Sequence, residues 1–154
     1  LPSRPLMVEA DGGRIQQVLE NLMSNAIKFT ERGGRVSIEL VERERDIEVI
    51  VSDRGKGIAP EDLERIFGQF YQVEDSATRE KGGTGLGLSI CKGIIEAHRG
   101  RLWAESSLGK GSRFHFTLAR VLDEGDVKGR DAEIKVAPLL SPLRGKAVAG
   151  GRPR

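Results

Sequence analysis

The sequence predicts an α/β two-layer sandwich, of the α+β kind, in which a mixed and mostly antiparallel sheet carries helices on one face. Three observations predict it. Two long stretches repeat their apolar residues at intervals of three and four, as a helix with one buried stripe does. Other stretches alternate apolar with polar residues, as half-buried strands do. The order is helix, hairpin, helices and then two strands. With 154 residues, 38% of them hydrophobic, the chain supplies one core.

The elements follow in turn. Asp11 can cap a helix, and Ile15, Val18, Leu19, Leu22, Met23, Ala26 and Ile27 step by three and four behind it, predicting an amphipathic helix over 12–30. Gly33 and Gly34 end it. Val36, Ile38 and Leu40 then alternate with Ser37 and Glu39, and Ile47, Val49 and Val51 with Glu48 and Ile50, which reads as a hairpin. Pro60 suits a first helical turn and opens a short helix through Ile66. From Leu86 a second long helix sets Ile90, Cys91, Ile94, Ile95 and His98 on one stripe until Gly100 stops it. Strands over 101–105 and 112–118 close the pattern, the second alternating Phe114, Phe116 and Leu118 with Arg113, His115 and Thr117. Past Val121 the composition turns to Gly, Pro and charge. The expected division is one domain over 1–120 and a mostly irregular tail over 121–154.

Bulk properties narrow the function. The 25 basic and 23 acidic residues leave a net charge of +2, too balanced for a chain that coats nucleic acid or anionic membrane, so proteins and small molecules are the expected partners. The single cysteine, Cys91, excludes an internal disulfide and reads as a small core residue. No apolar run approaches the roughly 20 residues that span a bilayer, and a cytoplasmic location is expected.

Three groups of residues carry candidate chemistry. Asn21, Asn25 and Lys28 fall at i, i+4 and i+7 and share one stripe beside the apolar face of the first helix. Two carboxamide oxygens can join a magnesium shell that phosphate and water complete, and the lysine can neutralise phosphate charge; the competing reading is a solvated helix face. Asp53-Arg54-Gly55-Lys56-Gly57-Ile58 stands where a strand ends. Its carboxylate can accept from an exocyclic amine such as adenine's, and its glycines let backbone pass a flat base, although Asp and Gly populate any turn. Gly82-Gly83-Thr84-Gly85-Leu86-Gly87-Leu88 opens the second long helix, where bare amides suit a polyphosphate. It lacks the Gly-Lys-Ser/Thr of a P-loop and does not follow a strand as a Rossmann fingerprint does.

In this order the pieces resemble the Bergerat-fold ATPases and, within them, the catalytic and ATP-binding domain of sensor histidine kinases. Asn21-Leu22-Met23-Ser24-Asn25-Ala26-Ile27-Lys28-Phe29-Thr30 is similar to that family's N box and Asp53-Arg54-Gly55-Lys56-Gly57 to its first glycine box. Phe67-Gly68-Gln69-Phe70 is similar to its F box, Gly83-Thr84-Gly85-Leu86-Gly87-Leu88 to its second glycine box and Gly109-Lys110-Gly111-Ser112-Arg113-Phe114 to its last. The resemblance runs over 6–118. It implies that Asn21 and Asn25 hold Mg2+, that Lys28 meets phosphate and that Asp53 reads adenine. It also assigns Gly55, Gly57, Ile58 and Phe70 to the nucleotide pocket, and Gly83, Thr84, Gly85, Leu86, Gly87 and Leu88 to the phosphate side. Residues 68–85 would form a mobile ATP lid, as their polar middle and flanking glycines also imply.

By the same resemblance the chain binds Mg-ATP and donates the γ-phosphoryl group to a histidine on a separate helical-hairpin domain of a homodimeric parent, with a response-regulator receiver downstream and the isolated domain monomeric. Asn21, Lys28 and a lid cation would carry the transfer. Where many members place an arginine this chain has Gln72, so Arg79 is expected to supply that cation and Lys81 is the second choice. No phosphoacceptor domain is expected within the chain. His98 reads as a packing residue on its helix, and His115 as a solvated residue on the outer side of its strand. Glu20 sits about 100° round the helix from Asn21 and reads as surface. Trp103 reads as packing. Two other classes stay open: a nucleotide-sensing module without transfer, and a gyrase-like hydrolase, whose members carry glutamate where this chain has Asn21.

Overall fold

The structure, a computed structural model, describes residues 6–71, 86–121 and 133–135. The segment that holds Gln72, Arg79, Lys81, Gly83, Thr84 and Gly85 lies outside them. The first long helix, α1, spans Gly12–Phe29; Asp11 caps it, its carboxylate accepting from the Arg14 amide at 3.1 Å. It buries Ile15, Val18, Leu19, Leu22, Met23 and Ala26. Ile27, expected on that stripe, is 50% exposed, because it sits about 140° round the helix from Leu22.

Four strands form the sheet: β2 Val36–Glu42, β3 Asp46–Asp53, β4 Leu102–Ser107 and β5 Gly111–Ala119. Their order is β2-β3-β5-β4 and each neighbouring pair is antiparallel. The expected hairpin forms, with Val36 opposite Asp53 and Glu42 opposite Ile47. A short helix, α2, covers Pro60–Leu63, and the second long helix, α3, covers Gly87–Ala97. Both long helices lie on the face of the sheet that carries Ile47, Val49, Val51, Phe114, Phe116 and Leu118, and these side chains join one core with Cys91 and Ile95. Ile90, expected inside, is 38% exposed: it stands at the rim of the α3 stripe rather than at its centre.

Two short strands at the ends of the domain add to the elements read from the sequence. Leu6, Val8 and Ala10 are buried in alternation around a short strand, β1 Met7–Glu9. It pairs antiparallel with β6, Glu133–Lys135, inside the stretch read as mostly irregular, and Val8 bridges to Arg120 at the end of β5. Three-residue strands give too few alternations to register as a pattern. Among the described residues no helix is long and apolar enough to cross a membrane.

The outer face of the sheet overturns a further expectation. His115 does point away from the helices, yet it is 4% exposed rather than solvated. Its Nδ1 lies 2.7 Å from Glu48 Oε1, and its ring stacks on that of Trp103, its cross-strand partner, at 4.9 Å between centroids. Arg43 closes over Glu48 at 2.7 Å and Arg101 lies over the Trp103 ring. Neighbouring strands bring large side chains over a position whose own alternation says only which face it takes. Trp103 packs as expected, but on this outer layer.

Candidate functional site

The last turns of α1, the loop after β3 and the first turn of α3 converge. Asn21 is half-buried, and its Nδ2 donates to the carbonyl of Gly87 at 3.4 Å, leaving the amide oxygen as an acceptor. Asn25 is half-buried one turn further along. At the end of the helix the ammonium groups of Lys28 and Lys56 lie 5.3 and 5.6 Å from the centre of the Phe29 ring, so two cations gather where α1 meets the loop.

Asp53 ends β3 on the core face and is 8% exposed. Its Oδ1 accepts from the Gly55 amide at 2.8 Å, and the Ser112 amide also donates to the carboxylate. Burial raises its pKa above the ordinary value of 3.8, against the pull of those two amides. A buried carboxylate held by its own loop keeps lone pairs for one further donor.

The glycines here answer first to the protein's own backbone. A Cβ on Gly55 would stand 2.3 Å from the Phe29 carbonyl oxygen, and one on Gly57, where φ is +76°, 2.1 Å from that of Ser107. Gly111, at φ +89°, packs so closely under Asp53 that a Cβ would meet its carbonyl oxygen at 2.0 Å. The loop after β3 is therefore clamped between α1 and the β4–β5 turn. Ser106, which the sequence reading missed, completes the clamp: its hydroxyl accepts from the Ile58 amide at 2.7 Å and donates to the Gly111 carbonyl at 2.8 Å. Nothing in its sequence neighbourhood marks it, because its partners are 48 and 5 residues away.

The remaining candidates divide. Leu88 packs against the core and Gly87 faces Asn21, whereas the Gly83, Thr84 and Gly85 part of that motif and Arg79 fall outside the described residues. The Leu86 carbonyl accepts from the Ser89 hydroxyl at 2.9 Å. Of the two phenylalanines in the Phe67-Gly68-Gln69-Phe70 motif, Phe67 packs edge-on against Phe114 and Phe70 is 71% exposed at φ +61°. Glu20 is exposed and accepts from Gln16, as expected of a surface residue. Cys91 is fully buried, and burial pushes its thiol up to about 11.

Residues 10–121 match the family model of histidine kinase-, DNA gyrase B- and HSP90-like ATPases. The chain belongs to this family. Within it, the chain is similar to the sensor histidine kinase WalK of Bacillus subtilis (strain 168), 48% identical over 120 residues that make up 77% of this chain and 20% of that protein. It is also similar to the adaptive-response sensory kinase SasA of Synechococcus sp. (strain JA-2-3B'a(2-13)), 47% identical over 72% of this chain and 29% of that protein. The chain thus spans a fifth to under a third of the length of these relatives.

Solved structures of the family agree. The catalytic domain of histidine kinase ThkA, in a nucleotide-free form, superposes with a TM-score of 0.63 at 38% identity over 73% of this chain and 71% of that one. Full-length ShkA, solved in complex with AMPPNP, gives 0.64 at 34% identity over 74% of this chain and 23% of that one. The Bergerat-fold expectation and the resemblance to histidine-kinase catalytic domains are both borne out.

Proposed function

We propose that this domain binds Mg-ATP and, within a longer sensor kinase, donates the γ-phosphoryl group to a histidine of a separate helical-hairpin domain. The observation that carries the reading is the meeting of Asn21 with Gly87 at 3.4 Å. It sets a metal-competent amide oxygen beside the amide end of α3, where the helix dipole favours phosphate. Asp53 then accepts from the adenine amine, Gly55, Gly57 and Ile58 hold the loop under it, and we assign Phe70, Thr84 and Leu86 to the nucleotide as well.

The residues fit the metal. Asn21 and Asn25 offer neutral oxygens, the hard ligands Mg2+ takes, and among the described residues no cluster of three His, Cys, Asp or Glu side chains forms a cage of its own. An ion here therefore draws most of its shell from nucleotide and water. Bound there, Mg2+ would offset phosphate charge during transfer. Lys28 adds a cation at the same end of α1, and Arg79 is the lid residue we assign to the γ-phosphate, ahead of Lys81. Transfer of this kind rests on positioning and charge, so the chain needs no nucleophile of its own. The buried His115 and the cap-bound His98 are both engaged within the fold. We place the domain in the cytoplasm, as a monomer in isolation and part of a homodimeric parent, with a response regulator downstream and no nucleic-acid partner.

Two other readings remain distinguishable. A sensing module would bind ATP without transfer. A gyrase-like hydrolase needs a carboxylate by the metal; Glu20, the neighbouring candidate, points to Gln16 on the exposed side. The deciding experiment mixes the chain, Mg-ATP and a helical-hairpin acceptor domain from a related sensor kinase. Labelling should appear on the acceptor, rise with its concentration and be reduced more by Arg79→Ala than by Lys81→Ala. Tight ATP binding without labelling at any acceptor concentration would support the sensing module, and label on the chain itself would refute an external acceptor.

A further inference from the structure

We infer that His98 is a positioning residue: it pins the far end of α3 to the cap of α1 and thereby places the opposite, Gly87 end of α3 beside Asn21. This inference rests on the nucleotide site proposed above. His98 follows the last residue of α3, half-buried, and both ring nitrogens are engaged. Nε2 accepts from the backbone amide of Asp11 at 3.0 Å, and Nδ1 lies 2.7 Å from the Ile94 carbonyl. Because the Asp11 amide is a donor only, Nε2 must carry the lone pair, so Nδ1 carries the proton and donates to Ile94. One ring thus adds a second donor to the Ile94 carbonyl, which already accepts from the His98 amide at 3.2 Å, and ties the end of α3 to the residue that caps α1.

The pin has leverage because α3 is a short rigid rod of 11 residues, about 16 Å long, packed antiparallel on α1. Contacts run in order along the pair: Asp11 with His98, Val18 with Cys91, Asn21 with Gly87. Apolar packing sets the distance and tilt between two helices, and a polar tie adds a directional bond that is satisfied at only one position along the axis. The Cys91 contact to the Val18 carbonyl, at 3.8 Å, is a weak thiol bond, and the Asn21 bond, at 3.4 Å, is long. Of these three contacts the His98–Asp11 bond, at 3.0 Å, is the shortest. The same end is seated on the sheet, where Gly100 leaves no room for a Cβ, 2.1 Å from the Thr117 carbonyl oxygen. The C-terminal end of α3 is therefore the fixed end, and the first-turn amides stand where that end puts them.

Three substitutions separate this role from simple helix capping. His98→Gln reaches the Asp11 amide with its terminal oxygen but gives up the Ile94 bond; His98→Asn can donate to Ile94 but is too short to reach Asp11; His98→Leu keeps neither. Calorimetry with Mg-ATP and with adenosine reads the phosphate and adenine ends of the site apart. The ratio of the two affinities should stay near wild type in the Gln variant and fall roughly five- to tenfold in the Asn and Leu variants, the scale of one lost hydrogen bond. Hydrogen exchange on the nucleotide-free chain should show faster exchange at Asp11 and at the Ile90 and Cys91 amides in the Asn and Leu variants, but not in the Gln variant. Equal ratios in all four proteins, or an Asn variant that behaves like wild type, would overturn the inference in favour of capping. If the wild type bound neither ligand, the nucleotide reading itself would fail, and exchange at Ile90 and Cys91 would still decide whether His98 sets the helix.

Discussion

Glu48 and His115 form a 2.7 Å hydrogen bond beneath the Trp103 ring, on the face of the sheet turned away from both long helices. The pair lies apart from the candidate nucleotide site and bears on stability. Arg43 first, and then His115, hold the Glu48 carboxyl below its ordinary value of 4.5. A lowered folded-state pKa means stability that is present above the unfolded value and lost as pH falls through the folded one. Wild-type melting temperature should therefore drop below pH 4.5 more steeply than that of Glu48→Gln, which at pH 7 should be less stable by about 1 to 2 kcal/mol. Parallel melting curves across that range would remove Glu48 from the account.

Asp53 has the opposite sign. Burial raises its folded-state pKa above 3.8, so its contribution is present at low pH and lost as pH rises through the folded value. Relative to Asp53→Asn, the nucleotide-free wild type should lose melting temperature as pH rises past 3.8, while the variant binds ATP more weakly by about 1 to 3 kcal/mol. The same carboxylate then burdens the apo fold and serves the ligand. If GTP bound the wild type as well as ATP does, Asp53 would not be the base reader.

Gly109 and Gly111 make a matched pair. Both adopt positive φ, +78° and +89°, but a Cβ on Gly109 meets nothing within 4 Å whereas one on Gly111 stands 2.0 Å from the Asp53 carbonyl oxygen. Gly109→Ala should cost about 1 kcal/mol from backbone strain alone. Gly111→Ala should cost more, about 3 kcal/mol, and displace Asp53 as well. Chemical denaturation of the two variants, followed by ATP titration of whichever folds, checks both.

Asn21→Ala and Asn25→Ala should each weaken ATP binding in the presence of Mg2+, and EDTA added to the wild type should mimic them. The two variants should also lose most of the wild-type response to EDTA. Equal ATP affinity in wild type, both variants and the EDTA-treated wild type would remove the asparagines from the metal site.

Much of this was legible along the chain. The spacing of Ile15, Val18, Leu19 and Leu22 marked α1, and the alternation at Ile47, Val49 and Val51 marked β3, because periodicity reports directly which side of an element is buried. The motifs beginning at Asn21, Asp53, Gly83 and Gly109 marked the family, whose model matches residues 10–121. Local pattern misjudged residues at the margin of a stripe: Ile27 and Ile90 are apolar and helical but lie too far round to be covered.

The sequence by itself determined the helix–hairpin–helix–strand order, the apolar sides of its elements and the places where chemistry gathers, since each depends on neighbours within a few residues. Tertiary structure alone decided what those places touch. It buried His115 by stacking Trp103 on it from the neighbouring strand and closing Arg43 over its partner Glu48, brought Ser106 under Ile58 across 48 residues, and joined His98 to Asp11 across 87. Such contacts depend on register and on the packing of one helix along another. Periodicity reports which face of an element is covered; only the closed fold determines which atoms cover it.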